Sequence, residues 1–272
     1  MNSANLPLLI EPADLAPRLG AAGIRIIDVN SSDVYLRAHV PGAVRLDYAR
    51  LVAARPPATG ALPDAGQLAE VLGGIGLTPE QHVVAYDDEG NGRAARLLWT
   101  LDAIGHPGGA SLLNGGLRAW LADGQPTESG DVAVAPARYP VRSSGEAVAD
   151  KDYILAHLHD PDVVLLDARS PDEYTGELQR AARGGHIPGA VNFHWTDAMD
   201  SSRHLRFKPA AELKRALEAL GVTPDKEIIT YCQTHHRSAH TYVVLKSLGY
   251  PRVRGYPGSW SEWGNLPDTP VE

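Results

Sequence analysis

The chain is written twice. The stretch "IIDVNSSDVYLRAHVPGAVRLDY" (26–48) returns as "LLDARSPDEYTGELQRAARGGHIPGAVNFHW" (165–195). Asp28 then faces Asp167, Tyr35 faces Tyr174 and "HVPGAV" faces "HIPGAV", with an insertion before the second His-Pro-Gly. Farther on, "VVAYDDEGNGRAARLLWTLDAIGHP" (83–107) lies over "IITYCQTHHRSAHTYVVLKSLGYP" (228–251), and Trp120 and Trp263 close the two copies. A period this long means two copies of one domain rather than a solenoid of short repeats. Between them, "GQPTESGDVAVAPARYPVRSSG" (124–145) has the Pro, Gly and Ser content of a linker. The expected organisation is a first domain over 1–124, a linker over 125–149 and a second domain over 150–272.

Each copy alternates short apolar β-type runs with helical patterns. In the second, "VVLLDA" (163–168) and "EIITYC" (227–232) read as buried strands, and "AAELKRALEALG" (210–221) as an amphipathic helix with a Gly cap. Strand, helix, strand, helix predicts an α/β fold in each domain, a mainly parallel sheet flanked by helices on both faces. Ligands of such sheets bind beyond the carboxyl ends of the strands, where Cys232 ends a predicted strand.

Composition removes several classes. With 272 residues, a formal charge of −8 and 43 % hydrophobic residues, the chain reads as an ordinary globular protein. Roughly 70–75 % of its unfolded surface can be buried at this size, so no disulfide or metal is required for stability. The acidic balance, without a basic run interleaved with aromatics, argues against a nucleic-acid partner. No apolar run approaches a membrane span, and "MNSANLPLLIEPADLAPRL" lacks the basic n-region of a secretory signal. A lone cysteine cannot form an intramolecular bridge, which suits a reducing, cytoplasmic setting.

That cysteine, Cys232, opens the loop "CQTHHR" before the helical pattern "SAHTYVVLKSLG". Ser238 suits the helix N-cap, and Ala239, Val243 and Val244 begin an apolar stripe. The loop therefore delivers a thiol to a helix N-terminus, where backbone N–H groups curl into an anion nest. With Arg237 and the imidazoles of His235 and His236 nearby, the Cys232 pKa should fall from about 8.5 toward the roughly 3.5–7.5 range of activated cysteines. The bland alternative is a buried, inert cysteine acting as a small hydrophobe. In the first copy Asp87 stands at the cysteine position, followed by "DEGNG", so only the second domain should be catalytic.

With these motifs in order, the chain resembles the rhodaneses, thiosulfate sulfurtransferases with tandem rhodanese-like domains. The likeness spans nearly all of it: "DVNSSDVYLRAHVPGAV" and "YDDEGNGRAARLLWTLDAIGHPGGASLLNGGLRAW" in an inactive-type first domain, then "DARSPDEY", "GHIPGAVN", "YCQTHHRSAH" and "YPGSWSEW". The resemblance implies that Cys232 takes sulfane sulfur from thiosulfate as a persulfide and passes it to cyanide or a thiol, with ping-pong kinetics. It implies no metal and no organic cofactor. Arg169 falls where two-domain members keep a donor-binding arginine, and Arg237 could act from the other side or brace the loop, with Gln233, Thr234, His235, His236 and Ser238 completing the active-site loop.

Three departures from the family pattern stand out. "CQTHHR" lacks the glycine-containing loop of mercaptopyruvate or animal thiosulfate sulfurtransferases. Thr175 stands where mercaptopyruvate enzymes usually carry a second substrate arginine, favouring thiosulfate over 3-mercaptopyruvate. Pro257 replaces the usual aspartate before "GSWSEW", with no consequence assigned.

His235 and His236 could act as neutral bases toward a thiol acceptor, as cations near the persulfide, or simply point to solvent. His186 has a counterpart in His39 of the inactive copy and is best explained as structural. Rival functions stay open: a Cys-based phosphatase, disfavoured by only four residues between Cys232 and Arg237; a metal site on Cys232, His235, His236 and His240; and a sulfur-relay or persulfide-sensing module. Two internally paired domains suggest a monomer.

Overall fold

Aliphatic and β-branched runs become parallel strands in the computed structural model of the chain, which describes residues 6–142 and 145–272. The first half supplies strands β1 (Leu9–Ile10), β2 (Ile24–Asp28), β3 (Val44–Arg45), β4 (Ala53–Arg55), β5 (Ala58–Ala61), β6 (His82–Tyr86) and β7 (Ala110–Leu113). Its helices are α1 (Pro12–Leu15), α2 (Ser32–Arg37), α3 (Ala65–Gly74), α4 (Gly92–Ala103) and α5 (Gly116–Ala122). The second half supplies β8 (Val163–Asp167), β9 (Val191–Asn192), β10 (Met199–Asp200), β11 (Arg206–Phe207), β12 (Glu227–Tyr231) and β13 (Val253–Gly255). Its helices are α6 (Lys151–Ala156), α7 (Pro171–Thr175), α8 (Ala210–Glu218), α9 (Arg237–Ser247) and α10 (Ser259–Trp263).

Two sheets result. One has the order β1-β7-β6-β2-β3 and the other β13-β12-β8-β9, with every neighbouring pair in both parallel. A strand covered on both faces carries no polar alternation, and β6, "HVVAY", is buried throughout. Val84 and Tyr86 face a core with Ile10, Leu15, Leu117 and Trp120, and the intervening Val83 and Ala85 are equally buried. The same division holds in the second sheet, where Ile229 and Tyr231 meet Ile154, Trp260 and Trp263 and α9 packs on β12 and β13. The expected fold class is what the chain forms, and the strands expected over 163–168 and 227–232 each end one residue early. The helix expected over 210–221 stops at Glu218, and Gly221 takes a left-handed conformation (φ 74°) just beyond it.

The chain divides into two compact units that no single cut in the sequence separates. The first comprises Met1–Leu51, Pro63–Gly145 and Asp200–Arg206, and the second Val52–Leu62, Glu146–Met199 and Phe207–Glu272. The antiparallel β4–β5 hairpin therefore belongs to the unit that carries the cysteine, although its residues come from the first half. Reciprocally, Arg206 pairs with Glu11 (3.0 Å) and Asp123 (2.6 Å) inside the first unit. The Pro/Gly/Ser-rich segment lies along that unit. Glu128 and His39 exchange both backbone hydrogen bonds, the Ala137 N–H donates to Gly73 O, and the Tyr139 hydroxyl lies 2.7 Å from Nδ1 of His106.

Candidate active site

Parallel pairing sets the position of the cysteine. Asp167 and Tyr231 are register partners at the ends of β8 and β12, so both strands open onto the same edge. Cys232 is the next residue, 1 % exposed. Its backbone is clamped from α10: the Cys232 N–H donates to Oγ of Ser259 (3.3 Å), the Trp260 N–H to Cys232 O (2.9 Å) and the Ser261 N–H to Gln233 O (3.0 Å). His235 adopts a left-handed backbone (φ 55°) that curls the loop back into the first turn of α9. Such alternation of backbone hand builds an N–H concavity, here centred on sulfur.

Three donors face Sγ: the N–H groups of Thr234 and Ser238 and the Ser238 hydroxyl. Burial by itself pushes the Cys232 thiol up, but the Arg237 charge and these donors outweigh it and hold the pKa below that of an ordinary thiol. Unlike that of an inert core cysteine, the burial here comes with anion-stabilising partners. The Ser238 hydroxyl is also 2.7 Å from Nδ1 of His235. A hydroxyl that donates to sulfur can only accept from the imidazole, an arrangement that calls for the Nδ1–H tautomer of His235.

Ser238 is not the N-cap that its position in the sequence suggested. The helix begins one residue before it, with His236 at the cap position and no side-chain cap. The physical reason is the tight loop. It turns the Ser238 hydroxyl inward onto Cys232 and His235, so the first-turn N–H groups are directed at sulfur rather than at a capping oxygen.

Arg237 is held by Glu173. Its guanidinium spans both oxygens of Glu173, with Nη2–Oε1 at 2.9 Å, and this pair together with the Cys232 charge raises its pKa despite burial. Glu173, 2 % exposed, also receives Nε of Arg180 (3.2 Å) and closes a capping box with Ser170 at the start of α7. Burial would raise its pKa, but Arg237 and Ser170 bring it down to about 2. The sequence reading passed over Glu173, and the S-x-x-E signature of "SPDE" could have marked its fixed geometry.

Arg169 lies on the same edge, buried. Its Nε and Nη2 engage Asp167 (2.6–3.0 Å), Nη2 also donates to Gly185 O (2.8 Å), and the guanidinium stacks over Trp260 at 4.5 Å. Gln233 reaches from the loop to Arg180 O (3.2 Å).

His235 is fully buried and does not point to solvent, and the His236 ring lies 6.1 Å from that of Trp195. His240 is buried against Trp195 and Phe207, and burial together with neighbouring His236 drives its pKa down to about 3. Among the described residues, no group of three or more His, Cys, Asp or Glu is arranged to hold a metal ion. His186 stacks on Tyr174 (3.7 Å) with Nδ1 on Tyr174 O (2.9 Å), and His39 repeats the pair with Tyr35 (4.1 Å and 2.8 Å). Both are structural braces.

The first unit keeps the nest and fills it. Asp87 follows β6 as Cys232 follows β12, and its carboxylate accepts the N–H groups of Glu89 (2.9 Å), Asn91 (2.7 Å), Arg93 (2.9 Å) and Ala94 (3.0 Å). Burial raises its pKa against these four hydrogen bonds. Four converging N–H groups at that point supply the hydrogen bonds that a carboxylate would need in a buried place.

Two parallel α/β units, each with backbone N–H groups converging between a strand and a helix and the one cysteine in the second, define a tandem α/β protein. The chain belongs to the rhodanese-like domain family, which matches residues 11–123 and 150–266. It is 52 % identical over 271 residues to a thiosulfate sulfurtransferase of Azotobacter vinelandii, covering 99 % of this chain and 98 % of that one. It is 50 % identical over 269 residues to a thiosulfate sulfurtransferase of Pseudomonas aeruginosa, with the same coverage. The fold also matches an anaerobic ergothioneine biosynthesis enzyme from Chlorobium limicola with a TM-score of 0.86 at 24 % identity, over 97 % of this chain and 70 % of that one.

Proposed function

We propose that the chain is a thiosulfate sulfurtransferase working through a persulfide on Cys232. The observation that carries this reading is the nest itself. Two N–H groups, a hydroxyl and a guanidinium charge converge on one buried sulfur, alongside full-length identity of about one half to two enzymes of that name.

The Cys232 thiolate attacks the outer sulfur of thiosulfate. A new S–S bond forms, the bond to the sulfonate sulfur breaks, and sulfite leaves with that electron pair. The persulfide is again an anion, stabilised by donors already in place. Cyanide, or a thiolate, then attacks the outer sulfur; thiocyanate or a new persulfide departs and the Cys232 thiolate returns. Arg237 supplies positive charge at the sulfur from a position locked by Glu173. Arg169, buried and already paired with Asp167 and the Gly185 carbonyl, holds the strand edge beside the loop rather than meeting the donor. His235 holds the Ser238 hydroxyl rather than meeting the acceptor, because its ring is buried against that hydroxyl.

The reducing cytoplasm is the setting in which one functional thiol stays reduced, and a monomer suffices because one unit carries the whole loop. No helix among the described residues is long and apolar enough to cross a membrane.

Thiocyanate formation at varied thiosulfate and cyanide tests this reading. Parallel double-reciprocal lines for thiosulfate, with 3-mercaptopyruvate a much poorer donor, are expected. Intersecting lines, or mercaptopyruvate the better donor, would contradict it.

A further inference from the structure

The cysteine loop is held on one side by a piece of chain from far away in sequence. Hairpin β4–β5 belongs to the unit that carries Cys232 and packs against α10. The Thr59 N–H donates to Oγ of Ser261 (3.1 Å), while the Ser261 N–H donates to Gln233 O (3.0 Å). One serine thus ties the hairpin to the loop.

At Gly60 the approach is closer still. A Cβ there would lie 2.2 Å from the carbonyl oxygen of Thr234, 2.6 Å from its carbonyl carbon and 2.8 Å from its Cα. All three are main-chain atoms that cannot rotate aside. Gly60 is not among the residues with positive φ, so its conformation does not require glycine; the space does. The carbonyl it meets lies in the Thr234–His235 peptide, and the Thr234 N–H that faces Sγ of Cys232 lies just across the contacted Cα.

We propose that Gly60 is a positioning residue for the nucleophile: the hairpin backbone closes on the Thr234 Cα and carbonyl and, through that Cα, fixes the N–H that Thr234 directs at the Cys232 sulfur. This rests on the reading of Cys232 as the reactive thiolate and adds to it a part encoded in the first half of the chain. Displacing the Thr234 main chain by the ångström or so that a methyl group demands would lengthen or misalign one charge-assisted hydrogen bond.

The test is the pH dependence of iodoacetamide alkylation of Cys232 in the full-length protein, comparing wild type, Gly60→Ala and Ala54→Ser, an exposed substitution on β4. Gly60→Ala should move the midpoint upward and lower the alkylation rate below that midpoint about threefold, the effect of weakening one hydrogen bond to an ion. Ala54→Ser should follow the wild type. A folded Gly60→Ala protein with the wild-type profile overturns the proposal, as does an equal shift from Ala54→Ser. Should Gly60→Ala not fold, Ser261→Ala decides. It adds no bulk and frees the Thr59 N–H, so a shift in the same direction of about threefold is expected, and an unchanged profile overturns the proposal. No sulfur donor enters this assay. A protein that alkylates as expected yet takes no sulfur from thiosulfate would sink the sulfurtransferase reading and leave the role of Gly60 standing.

Discussion

Arg237, the first residue of α9, lays its guanidinium across both carboxylate oxygens of Glu173, 64 residues earlier in the chain. This ion pair joins the helix that carries the nest to α7, the short helix after β8. It ties loop geometry to a titratable group and gives the electrostatics of the site a measurable handle.

Replacing Glu173 by Gln leaves Arg237 partly buried without its counterion. Breaking such a pair should destabilise the protein by about 2–3 kcal/mol, less than a fully buried pair because the Arg237 side chain retains 21 % exposure. Urea unfolding at neutral pH checks this, and Glu173→Asp should recover only part of the loss.

The same pair sets an acid limit. The pKa of Glu173 is depressed to about 2 in the folded protein, whereas in the unfolded chain it returns to about 4.3. Its contribution is therefore complete above the unfolded value and is lost as pH falls from there toward about 2. Between roughly pH 4.5 and 2, wild-type stability should fall more steeply than that of Glu173→Gln, read from urea midpoints at each pH.

At the sulfur, two substitutions should raise the alkylation midpoint of Cys232 by different amounts. Arg237→Gln removes the largest charge acting on the thiolate and should lower reactivity below the midpoint about tenfold. Ser238→Ala removes one hydroxyl donor and should cost about threefold. Iodoacetamide rates from pH 5 to 10 separate the two.

Asp87→Asn tests the silent nest. An amide presents only one acceptor oxygen to four N–H groups and turns its own NH2 toward them, which should cost roughly 2–3 kcal/mol of stability. Sulfur loading of Cys232 should be unchanged, because the first unit has no nucleophile. Calorimetry beside a loading assay makes both readings on one sample.

The duplication, the parallel sheets and the cysteine loop were legible because each rests on local signals: apolar runs, Gly and Pro punctuation, and one thiol before a helix. Asp87 could be matched to Cys232 by alignment of the copies alone. The function of Ser238 was less legible. A serine before an apolar stripe reads as a cap, and only the left-handed turn at His235 redirects its hydroxyl to sulfur. Glu173 was hidden because its partner is distant in sequence, although its capping box is local. Gly60 carried no signal at all. "PPATGA" reads as an ordinary turn and short strand, and nothing in it announces that the residue meets Thr234 or that the hairpin joins the second unit. Arg169 was singled out by position, but its pairing with Asp167 and its stacking on Trp260 depend on register and on α10, which the linear sequence does not display.

The central claim is that Cys232 accepts one sulfur atom. Reduced protein incubated with thiosulfate and examined by intact and peptide-level mass spectrometry, beside Cys232→Ser, tests it most directly. The account predicts a gain of one sulfur on the peptide containing Cys232, reversed by cyanide and absent from the serine variant. No gain from thiosulfate, or an equal gain in Cys232→Ser, would contradict it.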